Sequence, residues 1–223
     1  MRKFIILVLI IFSNAGCSTI PFQKINYVPL EDINPQMVRD QFAQRLPQRF
    51  ELMNSVVFAY RHQKFSCLGL IRVDALNQRL TVVGMNHVGV KLFDLSFNNE
   101  VIESKYIFSE LTKHGDFAKT VCEDIKRTYL DWVPPAESNV ILEKYKIIFR
   151  APKKDGFLEY VFAGKDNFLI EKHCYMNGRK LWSVFYYKYL LKNRKVFPVE
   201  VILRHYGYNY YLVARLKEVR ESE

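Results

Sequence analysis

Turn signals follow one another so closely in this chain that little except an antiparallel meander can be built from it. Phe50 to Arg61, Lys64 to Ala75, Leu80 to Met85, Val90 to Phe97 and Val101 to Phe108 are arms rich in Val, Leu, Phe and Thr, residues that suit a pleated surface. Only two to four residues separate consecutive arms, whereas parallel neighbours need a crossover of about a dozen or more. The centre of the series is Leu80 to Phe97, two arms meeting at Asn86-His87-Val88-Gly89. Phe93, Leu95 and Phe97 share one face by the two-residue period of a strand. Gly89 accepts positive φ without strain. Val88 stands where a turn tip is normally polar: it is either tucked back under the hairpin or presented as an apolar finger.

Two interruptions read as helices. Asn34-Pro35 is an N-cap followed by proline at the first helical position, opening a helix to about Arg45 that Pro47 stops. Asp116 caps a second helix to about Asp131, with Phe117, Val121, Ile125 and Leu130 as its apolar stripe. Strands resume at Val140 to Phe149 and Phe157 to Ala163. Phe168 to Met176 and Lys180 to Leu191 flank Asn177-Gly178, the strongest short-range hairpin signal. Val196 to Tyr206 and Asn209 to Val219 complete a mainly β fold of about eleven antiparallel strands and two helices. Twist forces so long a meander to coil or close around an apolar concave face. The inward residues expected are Phe93, Leu95, Trp182, Val184, Tyr186, Leu203 and Leu212. A packed core is the ordinary outcome for such a set, and a ligand-sized gap is the alternative.

Met1-Arg2-Lys3 followed by the apolar run Phe4 to Phe12 has the form of an export signal. At nine residues the run is far short of the ~20 a membrane-spanning helix needs. Ala15-Gly16-Cys17 resembles a bacterial lipobox, although Asn14 stands where Leu is usual. The expected organisation is a leader at 1–16, a tether at 17–33 and one domain at 34–223. An ordinary cleaved signal with an incidental cysteine is the competing reading. The lipobox resemblance implies an acylated Cys17 anchored in the membrane, and Ser18 after it implies the periplasmic face of the outer membrane. Removing residues 1–16 takes Arg2 and Lys3 away and leaves 207 residues at a net charge of +8, against +10 for the whole chain. Such a surface favours anionic lipid or is simply soluble, and export makes nucleic acid a poor partner. Cys67, Cys122 and Cys174 form no CxxC motif and read as small buried residues.

The motifs of catalysis are missing: no GxSxG, HExxH, P-loop or dinucleotide glycine pattern occurs. His173-Cys174 makes a poor dyad, since strand neighbours point to opposite faces. His87, His114 and His205 have no partners at ligand spacing, and Asp94 beside Ser96 reads as a solvent-facing position. No cofactor and no metal are expected.

The order of features resembles the LolA/LolB group, and LolB-like outer-membrane lipoproteins in particular. A lipobox-like Cys17, a helix and a meander are followed by the Asn86-His87-Val88-Gly89 loop, where LolB has Asn-Pro-Leu-Gly with a protruding apolar residue. A helix ending at Trp132-Val133-Pro134 comes next, then the Asn177-Gly178 hairpin with Leu181-Trp182-Ser183-Val184-Phe185-Tyr186-Tyr187, and a Phe197-Pro198 strand carrying Ile202-Leu203. The chain departs from LolB in having His87 for Pro, Val88 for Leu, and a longer stretch from Pro135 to Gly156. The resemblance, over about residues 34–220, implies a half-barrel around helices and an apolar cavity for acyl chains of lipids or lipoproteins. It also implies a role in their carriage or insertion without catalysis, a periplasmic carrier protein as partner, and a monomer. A non-catalytic envelope assembly factor that binds a protein partner is the alternative function.

Overall fold

A computed structural model describes residues 22–23, 25–60, 63–113 and 116–221. The leader, Cys17, residues 17–21 of the tether, His62 and His114 lie outside the described residues. The first helix, α1, runs Pro35–Gln44, and the Asn34 side chain accepts the Met37 N–H at 3.2 Å. Five strands follow: β1 (Arg49–Tyr60), β2 (Gln63–Asp74), β3 (Arg79–Met85), β4 (Lys91–Asn98) and β5 (Val101–Ile107). A 3-10 turn at Ser109–Thr112 leads to α2 (Phe117–Tyr129), where Asp116 accepts the Lys119 N–H at 3.0 Å. Seven strands complete the chain: β6 (Asn139–Glu143), β7 (Lys146–Lys153), β8 (Gly156–Ala163), β9 (Phe168–Met176), β10 (Arg179–Lys192), β11 (Lys195–His205) and β12 (Tyr210–Glu221).

The described strands form one twelve-stranded sheet in the order β5-β4-β3-β2-β1-β12-β11-β10-β9-β8-β7-β6, with neighbouring strands antiparallel throughout. The two meanders are joined where β1 pairs with β12, Val56 opposite Ala214. The sheet stays open, because β5 and β6 are its two edges. Phe93 and Leu95 near one edge share a core cluster with Ile147 and Phe149 near the other, and with Cys122, Ile125 and Tyr129 of α2. A flat sheet cannot bring those strands together, so accumulated twist has curled it around the helix.

One expected strand is two. The segment from Val140 to Phe149 turns at Lys144 and Tyr145, giving β6 and β7 with Glu143 opposite Lys146. The alternating pattern hides this because the hairpin reverses the chain: Ile147 and Phe149 enter the main core, whereas Ile141 packs on the outer face with Ile148. Hence the sheet has twelve strands and not eleven.

The described part of the expected tether is held against the outer face of the sheet. Phe22 packs on Tyr187 at 5.3 Å beneath the Arg215 guanidinium. Ile25 covers a small cluster of Ile148, Val161, Ala163 and Ile170, and the Leu30 N–H donates to the Lys144 carbonyl at 2.9 Å. From Ile33 the chain passes to α1 on the inner side.

Candidate functional site

The concave face and the helix within it form the most developed site in the molecule. Phe93, Leu95, Trp182, Val184, Tyr186 and Leu203 are all buried there, and Leu212 is half-buried. Phe93 meets Phe117 of α2 edge-on at 5.2 Å. Gly84 across from it makes room for that ring, since a Cβ there would lie 2.2 Å from Phe93 Cε1. Trp182 receives the Arg127 guanidinium over its ring at 5.0 Å.

The last turn of α2 is fastened by side chains that reach its free carbonyls. Tyr186 Oη donates to the Thr128 carbonyl at 2.9 Å, and Trp132 Nε1 donates to the same oxygen. Lys172 of β9, with no exposed surface, sends its Nζ to the carbonyls of Arg127, at 2.7 Å, and Asp131. The open carbonyls and negative dipole end of a helix C-terminus are natural partners for a cation. Burial pushes the Lys172 ammonium pKa down to about 7, against the upward pull of Asp131. Asp124, one turn earlier, accepts from Tyr210 Oη at 2.7 Å and pairs with Arg127 at 3.1 Å. Burial pushes its carboxyl up to about 6, against the lowering by Arg127 and Tyr210.

Burial fades toward one rim. Along the inward positions of β1, Phe50 and Leu52 are fully buried, while Val56, Phe58 and Tyr60 are half-buried. Leu212 opposite Phe58, and Phe117 and Val121 at the start of α2, are half-buried as well. Phe58 packs on Tyr210 at 5.2 Å, and Tyr210 donates to Asp124 of α2, so these half-buried side chains make an apolar mouth at this rim beside the helix.

The β3–β4 loop stands at the same rim and is held by its own residues. The Asn86 side-chain oxygen accepts the N–H groups of Val88 at 3.1 Å and Val90 at 2.9 Å, and the Asn86 N–H donates to the Val90 carbonyl. Gly89 takes φ +87°, and His87 Nε2 lies 3.0 Å from Ser66 Oγ of β2. Val88 is left 83% exposed at the tip. Cys67, Cys122 and Cys174 are buried free thiols, and burial pushes the first two up to about 11.

The outer face holds a hydrogen-bonded trio that no sequence motif announces. Ser183 Oγ lies 2.8 Å from His173 Nδ1, and His173 Nε2 lies 2.8 Å from Glu171. Burial raises the Glu171 carboxyl, but the His173 hydrogen bond and the charges of His173, Lys146 and Lys180 together outweigh it and hold the group below its ordinary range. Ser183 has no exposed surface, so no substrate carbonyl reaches its oxygen in this state. The trio ties β9 to β10 as a hydrogen-bonded spine. A bulge at Leu181 places His173 opposite Ser183, where the uninterrupted register from Asn177-Gly178 sets Lys172 there.

No family model matches the chain, and no curated protein matches its sequence. Solved structures do. A LolA superfamily protein from Nitrosomonas europaea superposes with a TM-score of 0.56 at 9% identity, over 86% of this chain and 94% of that one. A candidate outer membrane lipoprotein-sorting protein domain from Vibrio parahaemolyticus gives a TM-score of 0.50 at 7% identity, covering 82% and 90% of the two chains. A DUF1329 family protein from Desulfovibrio piger gives 0.50 at 8% identity, covering 84% and 92%. At such identities the likeness is one of fold: the chain has the LolA/LolB-like open half-barrel around a central helix.

Proposed function

We propose that the chain is a periplasmic lipid-binding protein whose concave face takes acyl chains of lipids or lipoproteins at the mouth beside α2, for carriage or insertion. The observation that supports this most is the gradient of burial along β1, from fully buried Phe50 and Leu52 to half-buried Val56 and Phe58. An acyl chain sliding beside α2 completes the burial of these half-covered side chains at ~0.8 kcal/mol per methylene. The name of the Vibrio domain, lipoprotein sorting, points the same way for the fold. Acylated Cys17 anchors the protein at the periplasmic face of the outer membrane, a periplasmic carrier hands over the cargo, and Val88 touches the acyl chain or the membrane in passing. The protein acts as a monomer and performs no chemistry on its cargo.

Purification of the mature chain with Cys17→Ser, followed by native mass spectrometry and lipid extraction, tests this reading. Acyl species that co-purify and diminish in Phe58→Asp are the expected result. A clean protein that takes up no fatty acid and captures a periplasmic polypeptide instead supports the assembly-factor role.

A further inference from the structure

Of the apolar areas on the outer face of the sheet, one lies under the N-terminal segment and another is uncovered among the described residues. Over β7 to β9, Ile25 of the N-terminal segment lies on Ile148, Val161, Ala163 and Ile170. A second band crosses five strands diagonally. Ile202 of β11 stands opposite Val213 of β12, and Val213 opposite Val57 of β1. Leu68 and Leu70 of β2 and Val83 of β3 continue it toward the Val88 loop, with Leu70 opposite Val83. These residues are half-buried, and Leu70 is 37% exposed. The neighbouring outer positions of β4 are instead polar, Asp94, Ser96 and Asn98, as an outward sheet face in water ordinarily is.

We propose that this band is a docking surface for an anionic lipid bilayer. Two observations select that occupant. The first is charge. The acids bordering the band are each paired: Asp94 with Lys91 at 2.8 Å, Glu51 with Arg72 at 2.6 Å, and Glu200 with Arg215 at 3.8 Å. Lys64 and Arg204, on its rim side, have no carboxylate partner among the described residues, so the border is net positive. The second is where the chain enters. Phe22 sits under Arg215, beside the Ile202 and Val213 end of the band. Phe22 comes five positions after Cys17, a reach of at most ~18 Å. An acyl group on Cys17, as proposed above, is thereby held close to this face, and the 17–33 segment works as a short leash. Docked this way, the sheet lies with its back on the membrane and the Val88 loop at the edge of the contact.

The test is vesicle flotation with the full mature chain carrying Cys17→Ser, so that no acyl chain contributes. Vesicles of pure phosphatidylcholine and vesicles containing phosphatidylglycerol are compared. The expected result is binding to the anionic vesicles only. Lys64→Gln and Arg204→Gln each lower partitioning about fivefold, the ratio set by ~1 kcal/mol per cation near an anionic surface. Leu70→Glu, at an exposed position, abolishes flotation while circular dichroism and Tm stay at the parent values. A fatty-acid probe titrated in solution binds parent and Leu70→Glu equally, which separates this surface from the concave site. Absence of flotation with anionic vesicles, flotation unchanged in Leu70→Glu, or a dimer in solution that Leu70→Glu dissociates would each overturn the proposal.

Discussion

The two ends of the concave face are built from the same strands and differ in how they are finished. At the far end Phe50 stacks on Trp132 at 6.0 Å, and the carbonyls closing α2 are occupied by Lys172, Tyr186 and Trp132. At the rim the inward residues of β1 and β12, Phe58 and Leu212, stay half-buried, and Phe58 reaches α2 only through Tyr210, which bonds Asp124. Stability is therefore concentrated where the helix ends, and apolar surface is kept in reserve at the rim. Polar fastening suits this division. Hydrogen bonds to specific carbonyls fix the helix in one register, whereas apolar contact at the other end tolerates replacement by an acyl chain of similar character.

The contrast predicts a ranking of effects. Trp182→Ala removes a buried ring and leaves the Arg127 guanidinium without its aromatic face, a loss of ~3–5 kcal/mol in chemical denaturation. A loss below about 1 kcal/mol would place Trp182 beside space that already exists.

Lys172→Met keeps the bulk of the side chain but leaves two buried carbonyls without a donor, at a cost of ~2–3 kcal/mol. It also leaves a pH signature. In the unfolded chain the Lys172 ammonium titrates near 10.5, and in the fold near 7. Between these values the unfolded state holds more protons than the native state, so this group makes stability rise with pH across that window and level off below it. Denaturant midpoints of the parent at pH 7 and pH 9.5 show the rise, and Lys172→Met lacks it. Equal slopes in the two proteins would remove Lys172 from the fastening.

How much of this was legible in the sequence depends on the distance of the partner. The hairpins were visible because their signals are local: Asn177 and Gly178 both take positive φ, at 49° and 72°, as that dipeptide favours. Both helix caps, Asn34 and Asp116, read correctly for the same reason. The turn at Lys144 and Tyr145 escaped notice because neither residue is a turn former. Lys172 gave no sign, since its acceptors lie 45 and 41 residues away at and just past the end of α2, and strand alternation says only that it shares a face with Cys174. The His173–Ser183 contact depends on a bulge at Leu181, which no pattern in the residues announces. Inwardness of Trp182, Tyr186 and Leu203 followed from period two, but the fading of burial along β1 from Phe50 to Phe58 does not, since both residues occupy inward positions of one strand.

At the rim the effects are smaller in stability and larger in binding. Leu212→Ala costs ~1–2 kcal/mol, because the side chain is only half-buried, and weakens fatty-acid binding. A destabilisation as large as that of Trp182→Ala, with binding intact, would erase the distinction between the two ends. Val88→Glu sits lowest in the ranking. At an 83% exposed position it changes the midpoint by less than ~0.5 kcal/mol, and it slows delivery of acylated cargo to liposomes. Unchanged delivery would leave the loop without a part in transfer.

The most direct measurement of the central claim is titration of the soluble mature chain, Cys17→Ser, with a fluorescent fatty-acid analogue, alongside its Phe58→Asp variant. The account predicts saturable one-to-one binding that palmitate displaces, abolished in Phe58→Asp while the fold persists. Saturable binding that Phe58→Asp leaves intact, or no saturable binding by the folded parent, would contradict it.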